Sequence, residues 1–172
     1  MRRASISRGA RAGPASARPQ AGDGEERVLS DEVHVVAYEG EPGRSVLDYA
    51  VRRARRDGAR LLIVHILEWS PYRFLTPEEL AERRKRRREE LSRAETAVIA
   101  PALAIALAAG VEAEGALRYG AVAELIVEIA MEAGAALIFV GRSGAGGFGA
   151  RIFGSVPIAV AQIAPIPTVI VP

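Results

Sequence analysis

Residues 141–156 read Gly-Arg-Ser-Gly-Ala-Gly-Gly-Phe-Gly-Ala-Arg-Ile-Phe-Gly-Ser-Val, a stretch whose residue types and spacing suit the holding of phosphate. Gly141, Gly144 and Gly154 let backbone approach a ligand closely. Ser155 places a hydroxyl where the next helix begins, and a helix start offers N–H groups and a dipole that favour an anion. Arg142 and Arg151 can add charge-assisted bonds to phosphate, or be solvated instead. An apolar run, 135–140, precedes the loop and a helix-like stretch, 158–164, follows it. The expected local order is therefore strand, glycine loop, helix.

Other chemistry is missing from the sequence. The loop lacks the Gly-Lys-Ser of a P-loop, no dinucleotide fingerprint stands early in the chain, and no Ser-His-Asp order suits acyl transfer. The chain has no cysteine, which excludes a disulfide framework and a thiolate metal site. His34 and His65 are isolated in apolar runs and read as neutral core histidines. With no nucleophile, base and acid set, the loop is expected to hold a phosphate-bearing ligand, with at most slow hydrolysis.

The elements that must position this loop follow from apolar periodicity. Residues 33–37 (Val-His-Val-Val-Ala) form a first strand, with a turn-rich segment and a helix from about Arg44 after it. On that helix Val46, Leu47, Ala50, Val51 and Ala54 make one face, Arg52, Arg53, Arg55 and Arg56 lie largely opposite, and Gly58 stands at the C-cap. Residues 61–67 are almost wholly apolar, as in a strand covered on both faces. An aromatic segment, 68–77, is expected to seal the end of the core or a subunit contact. Thr76 and Pro77 then mark the start of a long helix that Pro101 should kink near Ala97.

The alternation in 111–117 predicts an edge strand. A helix over 121–133 and a strand over 135–140 lead to the glycine loop, a helix over 156–164 follows it, and Thr168-Val-Ile-Val closes the chain at a sheet edge or against a partner. Five strands alternating with four helices imply an α/β fold, a single-domain doubly wound five-stranded parallel sheet with helices on both faces.

Charge narrows the partners. Residues 1–27 hold six Arg against three acids, and the remainder carries 17 basic against 18 acidic residues. Residues 1–30 read as a disordered basic tail and 31–172 as the folded domain. The basic run 83–88 invites a nucleic-acid or anionic-membrane reading. Glu79, Glu82, Glu89 and Glu90 stand four residues from arginines around it, so a salt-bridged exposed helix face is the expected state, without nucleic acid. The apolar half of the same helix reads as too short and interrupted to span a membrane, and a reduced, cytoplasmic setting is expected.

Glycine, two residues, glycine, nine residues, then Gly-Ser at a helix start resembles the nucleotide-binding signature of the universal stress protein family. Residues 41–50 (Glu-Pro-Gly-Arg-Ser-Val-Leu-Asp-Tyr-Ala), Val64-His65-Ile66 and the ending 164–171 are similar to that family too. The resemblance spans about 31–172. It implies an adenine nucleotide alpha hydrolase-like sheet, binding of ATP or AMP with Mg²⁺ carried on the phosphates, and a stress-response role toward an unknown regulated protein. It also implies a homodimer through Thr168–Val171; a nucleotide-independent dimeric scaffold is the alternative. Carried over by position, Ile66 would meet adenine through its backbone, and Val36, Ala37 and Tyr38 would flank base and ribose. Val140, Gly141, Ser143, Gly144, Gly154, Ser155 and Val156 would hold ribose and phosphates. The family commonly has Asp at the end of strand one, where this chain has Tyr38.

Overall fold

The computed structural model describes residues 31–68, 77–142 and 155–172. The expected tail, the aromatic segment 69–76 and most of the glycine loop, 143–154, lie outside the described residues. Among the described residues five strands form one sheet, β1 (Val33–Ala37), β2 (Arg60–Glu68), β3 (Ala113–Gly120), β4 (Leu137–Gly141) and β5 (Thr168–Val171). Every pairing is parallel and the spatial order is β3-β2-β1-β4-β5. β3 and β5 are the edges, as their alternation and terminal position led one to expect.

Alternation along the strands divides the core into two halves. Val36, Leu61, Ile63 and Phe139 face α1 (Arg44–Asp57) and the helix that precedes β3. Val35, Val64, Ile138 and Val140 face α4 (Val122–Glu132) and α5 (Ser155–Ile163). α1 buries Val46, Leu47, Ala50, Val51 and Ala54, the stripe its spacing marks out, and ends at Gly58 in the left-handed conformation, φ 70°. Helices cover both faces, so the central strands β1 and β4 carry no exposed polar face.

The long helix before β3 differs from a simple kink. α2 (Pro77–Ala94) and α3 (Ala100–Ala108) are joined by one wide π turn, Glu95–Ile99, in which the Ala100 N–H reaches back to the Glu95 carbonyl. Pro101 offers no N–H to Ala97, and a five-residue turn absorbs that missing donor without breaking the axis. Thr96 adds a back-bond from its hydroxyl to the Ser92 carbonyl at 3.0 Å. The four expected helices thus become five segments.

Boundaries shift for similar local reasons. β3 starts at Ala113 and not at Val111, because Val111 N–H bonds the Ala106 carbonyl and finishes α3. β4 starts at Leu137 because Ala135 N–H is bonded to Ala130, closing α4.

The basic run lies on α2. Glu82 and Arg86 form the expected pair at 3.1 Å. Glu90 instead accepts a hydrogen bond from the Tyr119 hydroxyl of β3, while Arg87 lies over the Tyr119 ring, 4.5 Å from its centroid. By length and composition alone the helical stretch Glu82–Ala108 is long and apolar enough to cross a membrane, against the expectation from sequence. The π turn keeps the helix continuous through Pro101, which is why the interruption does not shorten it. In this fold Ala94, Ile99, Ala102 and Ala106 bury one side of it.

Candidate functional site

Chain connections run outward from β1 to β2 and β3, then cross to β4 and β5. The sense of winding therefore reverses between β1 and β4. Two neighbouring strands whose chains leave in opposite directions open a crevice at their carboxyl ends. A cavity of about 160 Å³ occupies that place. Its walls come from β1 and the segment after it (Ala37, Tyr38, Glu39, Gly43), from Val46 of α1, and from Val64 and Ile66 of β2. Val122 and Ile126 of α4, Val140 and Gly141 of β4, and Val156 and Pro157 of α5 complete it. The size is comparable with the roughly 150 Å³ cavities that admit one aromatic ring.

The lining is mostly apolar, with charge at its margins. The first residues of α4 and α5 both reach the cavity, so two helix starts contribute partial positive charge there. Glu39 is the carboxylate in the lining. The Tyr38 ring is buried and packs with the α1 side of the core. Burial first, then the nearby Glu41 and Asp48 carboxylates, push its phenol above the usual tyrosine range, with Arg44 opposing. It stays a neutral hydroxyl at physiological pH. Arg44 is itself engaged, bonding Asp48 at 2.8 Å and lying 3.6 Å from Glu41.

Backbone polarity at the crevice is set where β1 leaves β2. Their pairing runs to Ala37 opposite Val64, and the Tyr38 N–H donates to the Val64 carbonyl at 2.9 Å as the last step. Beyond it the His65 Nδ1–H donates to the Tyr38 carbonyl at 2.8 Å. A carbonyl can only accept, so Nδ1 carries the proton. His65 thus behaves as the core histidine its surroundings suggested, with a backbone partner. His34 is fully buried and differs: its Nε2 lies 3.1 Å from Glu32, and among the described residues its Nδ1 has no hydrogen-bond partner.

The sequence-predicted residues fall into three groups. Ala37, Tyr38, Ile66, Val140, Gly141 and Val156 all line the cavity. Val36 is fully buried among the α1-facing residues, since alternation turns it from the crevice. Arg142 is exposed and outside the lining, its N–H donating to the Val171 carbonyl at 2.7 Å. Ser143, Gly144, Gly154 and Arg151 lie outside the described residues, and Ser155 opens α5. Sequence reasoning missed Glu39, Gly43, Val46, Val64, Val122, Ile126 and Pro157. An acid directly after strand one was a usable signal for Glu39. For Val122 and Ile126 the sequence showed an apolar helix face but not that part of it overhangs a crevice.

Fold and site together define an α/β protein with a ring-sized crevice at a strand switch point, faced by two helix starts. Residues 33–172 match the universal stress protein family, and the chain belongs to that family. The universal stress protein from Archaeoglobus fulgidus is 27% identical, covers 82% of this chain and 93% of its own, and superposes with a TM-score of 0.56. The structure of the Archaeoglobus fulgidus protein in complex with dAMP is 27% identical over 82% of this chain and 98% of its own, TM-score 0.55. A universal stress protein in complex with cAMP is 27% identical over 82% and 96%, TM-score 0.53. No curated protein sequence matches.

Proposed function

We propose that this chain is a stress-response regulatory protein that binds an adenine nucleotide, ATP or AMP, in the crevice between β1 and β4. The observation that carries this is the meeting of an apolar, ring-sized cavity with the first turn of α5. The base enters the apolar part, against Ile66, Val122 and Ile126. The phosphates lie toward Gly141, Ser143, Gly144, Gly154 and Ser155, where the helix start favours negative charge. Glu39 and the segment around Tyr38 face the sugar, because a carboxylate accepts from hydroxyls and repels phosphate. Complexes of similar universal stress proteins with dAMP and with cAMP support the ligand class.

Among the described residues no group of three or more His, Asp or Glu side chains could hold a metal, and Mg²⁺ is proposed to arrive on the phosphates. Binding with at most slow turnover suits a cytoplasmic sensor that changes what it contacts when nucleotide levels change. Calorimetry of purified protein with ATP, ADP and AMP tests this. Saturable binding is expected, weakened at least tenfold by Gly144→Glu, which puts a carboxylate among the phosphates. Absence of saturable binding in the parent chain overturns it.

A second reading is a dimeric scaffold that works without nucleotide. Exposed Ile158 and Ile163 on α5 and Ile170 on the edge strand β5 favour it, since they leave apolar surface open to a partner. Partner capture unaffected by AMP and by Gly144→Glu would support the scaffold over the sensor.

A further inference from the structure

We propose that His65 is a positioning residue that gives the crevice its preference for a 6-aminopurine base. The inference rests on the nucleotide reading above and adds to it the group that makes the base legible. It starts from the geometry of a parallel ladder. Successive residues of a parallel strand turn their backbone N–H and C=O to alternate neighbours. Leu61 N–H bonds the Glu112 carbonyl just before β3, whereas the Val64 carbonyl receives the Tyr38 N–H on the β1 side. By that alternation Ile66 turns its N–H and C=O toward β1.

β1 has already left the sheet at that height. Its pairing with β2 ends at Ala37 and Val64, and Ile66 continues to pair only with β3, opposite Arg118. An unbroken ladder would hand the Tyr38 carbonyl to the Ile66 N–H. Here the carbonyl receives the His65 imidazole instead, at 2.8 Å, and Ile66 lines the cavity. One side chain therefore holds the departing strand by its carbonyl, and the neighbouring residue of β2 keeps a donor and an acceptor for whatever enters the crevice. Buried backbone groups demand partners, so a ligand that supplies both is favoured over one that supplies neither.

A 6-aminopurine offers an acceptor at N1 beside a donor at its exocyclic amine, the complement of one residue's N–H and C=O. A 6-oxopurine reverses that order, with a donor at N1 and an acceptor at O6. With sugar and phosphates fixed toward Gly141 and α5, the base cannot turn over to restore the match. Recognition sites built on hydrogen bonds reject such reversed partners strongly, because both buried groups are left unpaired. Losing the His65 donor releases the Tyr38 carbonyl to take the Ile66 N–H, and base recognition goes with it.

The test compares AMP with inosine monophosphate by calorimetry on the full chain and three variants, with melting temperature followed in parallel. In the parent AMP should bind about tenfold or more tighter than the 6-oxo analogue. His65→Leu should lower AMP affinity until the two ligands bind within about twofold, with inosine monophosphate affinity held. His65→Asn keeps an amide donor at the place of Nδ1 and should restore the preference; His65→Gln, with its amide one bond further out, should not. If His65→Leu does not fold, His65→Gln and His65→Asn carry the comparison. Equal binding of both ligands to the parent overturns the role of His65 and leaves nucleotide binding standing. An undiminished ratio in His65→Leu, or equal losses for both ligands, overturns it as well. No binding of either ligand to the parent removes the nucleotide reading and this inference together.

Discussion

At the residue scale, the contacts that matter most are those in which one side chain settles the state of another. Tyr119 is such a case. Burial, then its hydrogen bond to Glu90, push its phenol up to about 12, with Arg87 and Arg93 opposing. Its folded pKa thus lies above the unfolded value of 10.0. Below the unfolded value both states keep the proton and the stabilisation is complete. As pH rises between the two values the unfolded chain loses its proton first, and stability falls until the folded phenol ionises too. Urea midpoints should therefore drop between about pH 10 and about pH 12 more in the parent than in Tyr119→Phe. Parallel curves for the two chains would remove Tyr119 as the source.

The same scale shows how much of the site could be read without coordinates. Ala37, Ile66, Val140 and Gly141 line the cavity, and strand ends and a glycine loop leave local signals for such positions. Strand alternation, not proximity along the chain, decides whether a side chain meets the crevice, and Val36 belongs to the α1 side and is not in the cavity wall. Tyr38 drew attention as a substitute for a carboxylate, yet its ring packs into the core and the adjacent Glu39 is the acid in the lining.

At the scale of elements, the fit of the π turn against β3 fixes the helix before it. Gly115 sits where an added Cβ would come within 2.4 Å of Ile99 Cγ2, closer than any real contact. Gly115→Ala must push the turn away from the sheet, and overpacking of this kind costs about 1–3 kcal/mol. Ile99→Ala alone opens a cavity and costs about 2–5 kcal/mol. Combined, the two should cost less than their sum, since each relieves the other's defect. Denaturant unfolding of the two single variants and the double variant gives the coupling directly, and strict additivity would remove the contact as the reason for glycine. The strand pattern of 111–117 and the helix stripe through Ile99 were both readable. That they meet at one glycine was not, because it depends on the extra residue that Pro101 forces into the turn.

At the scale of the whole molecule, the sheet has two unlike edges. β3 carries Glu112, Glu114 and Arg118 along or beside its exposed side, charges that discourage pairing with another strand. β5 is four residues long, carries no charge and exposes Ile170, and α5 exposes Ile158 and Ile163. We propose that this uncharged edge is where a second copy pairs. Ile170→Lys places a desolvation cost at the centre of that surface while leaving the crevice walls untouched, since Ile170 is not among them. Sedimentation velocity should then show the parent as a dimer and Ile170→Lys shifted to monomer, with AMP affinity within about twofold of the parent's. A parent chain that sediments as a monomer at the concentrations used for calorimetry would overturn pairing through β5 and place the proposed nucleotide site wholly within one copy.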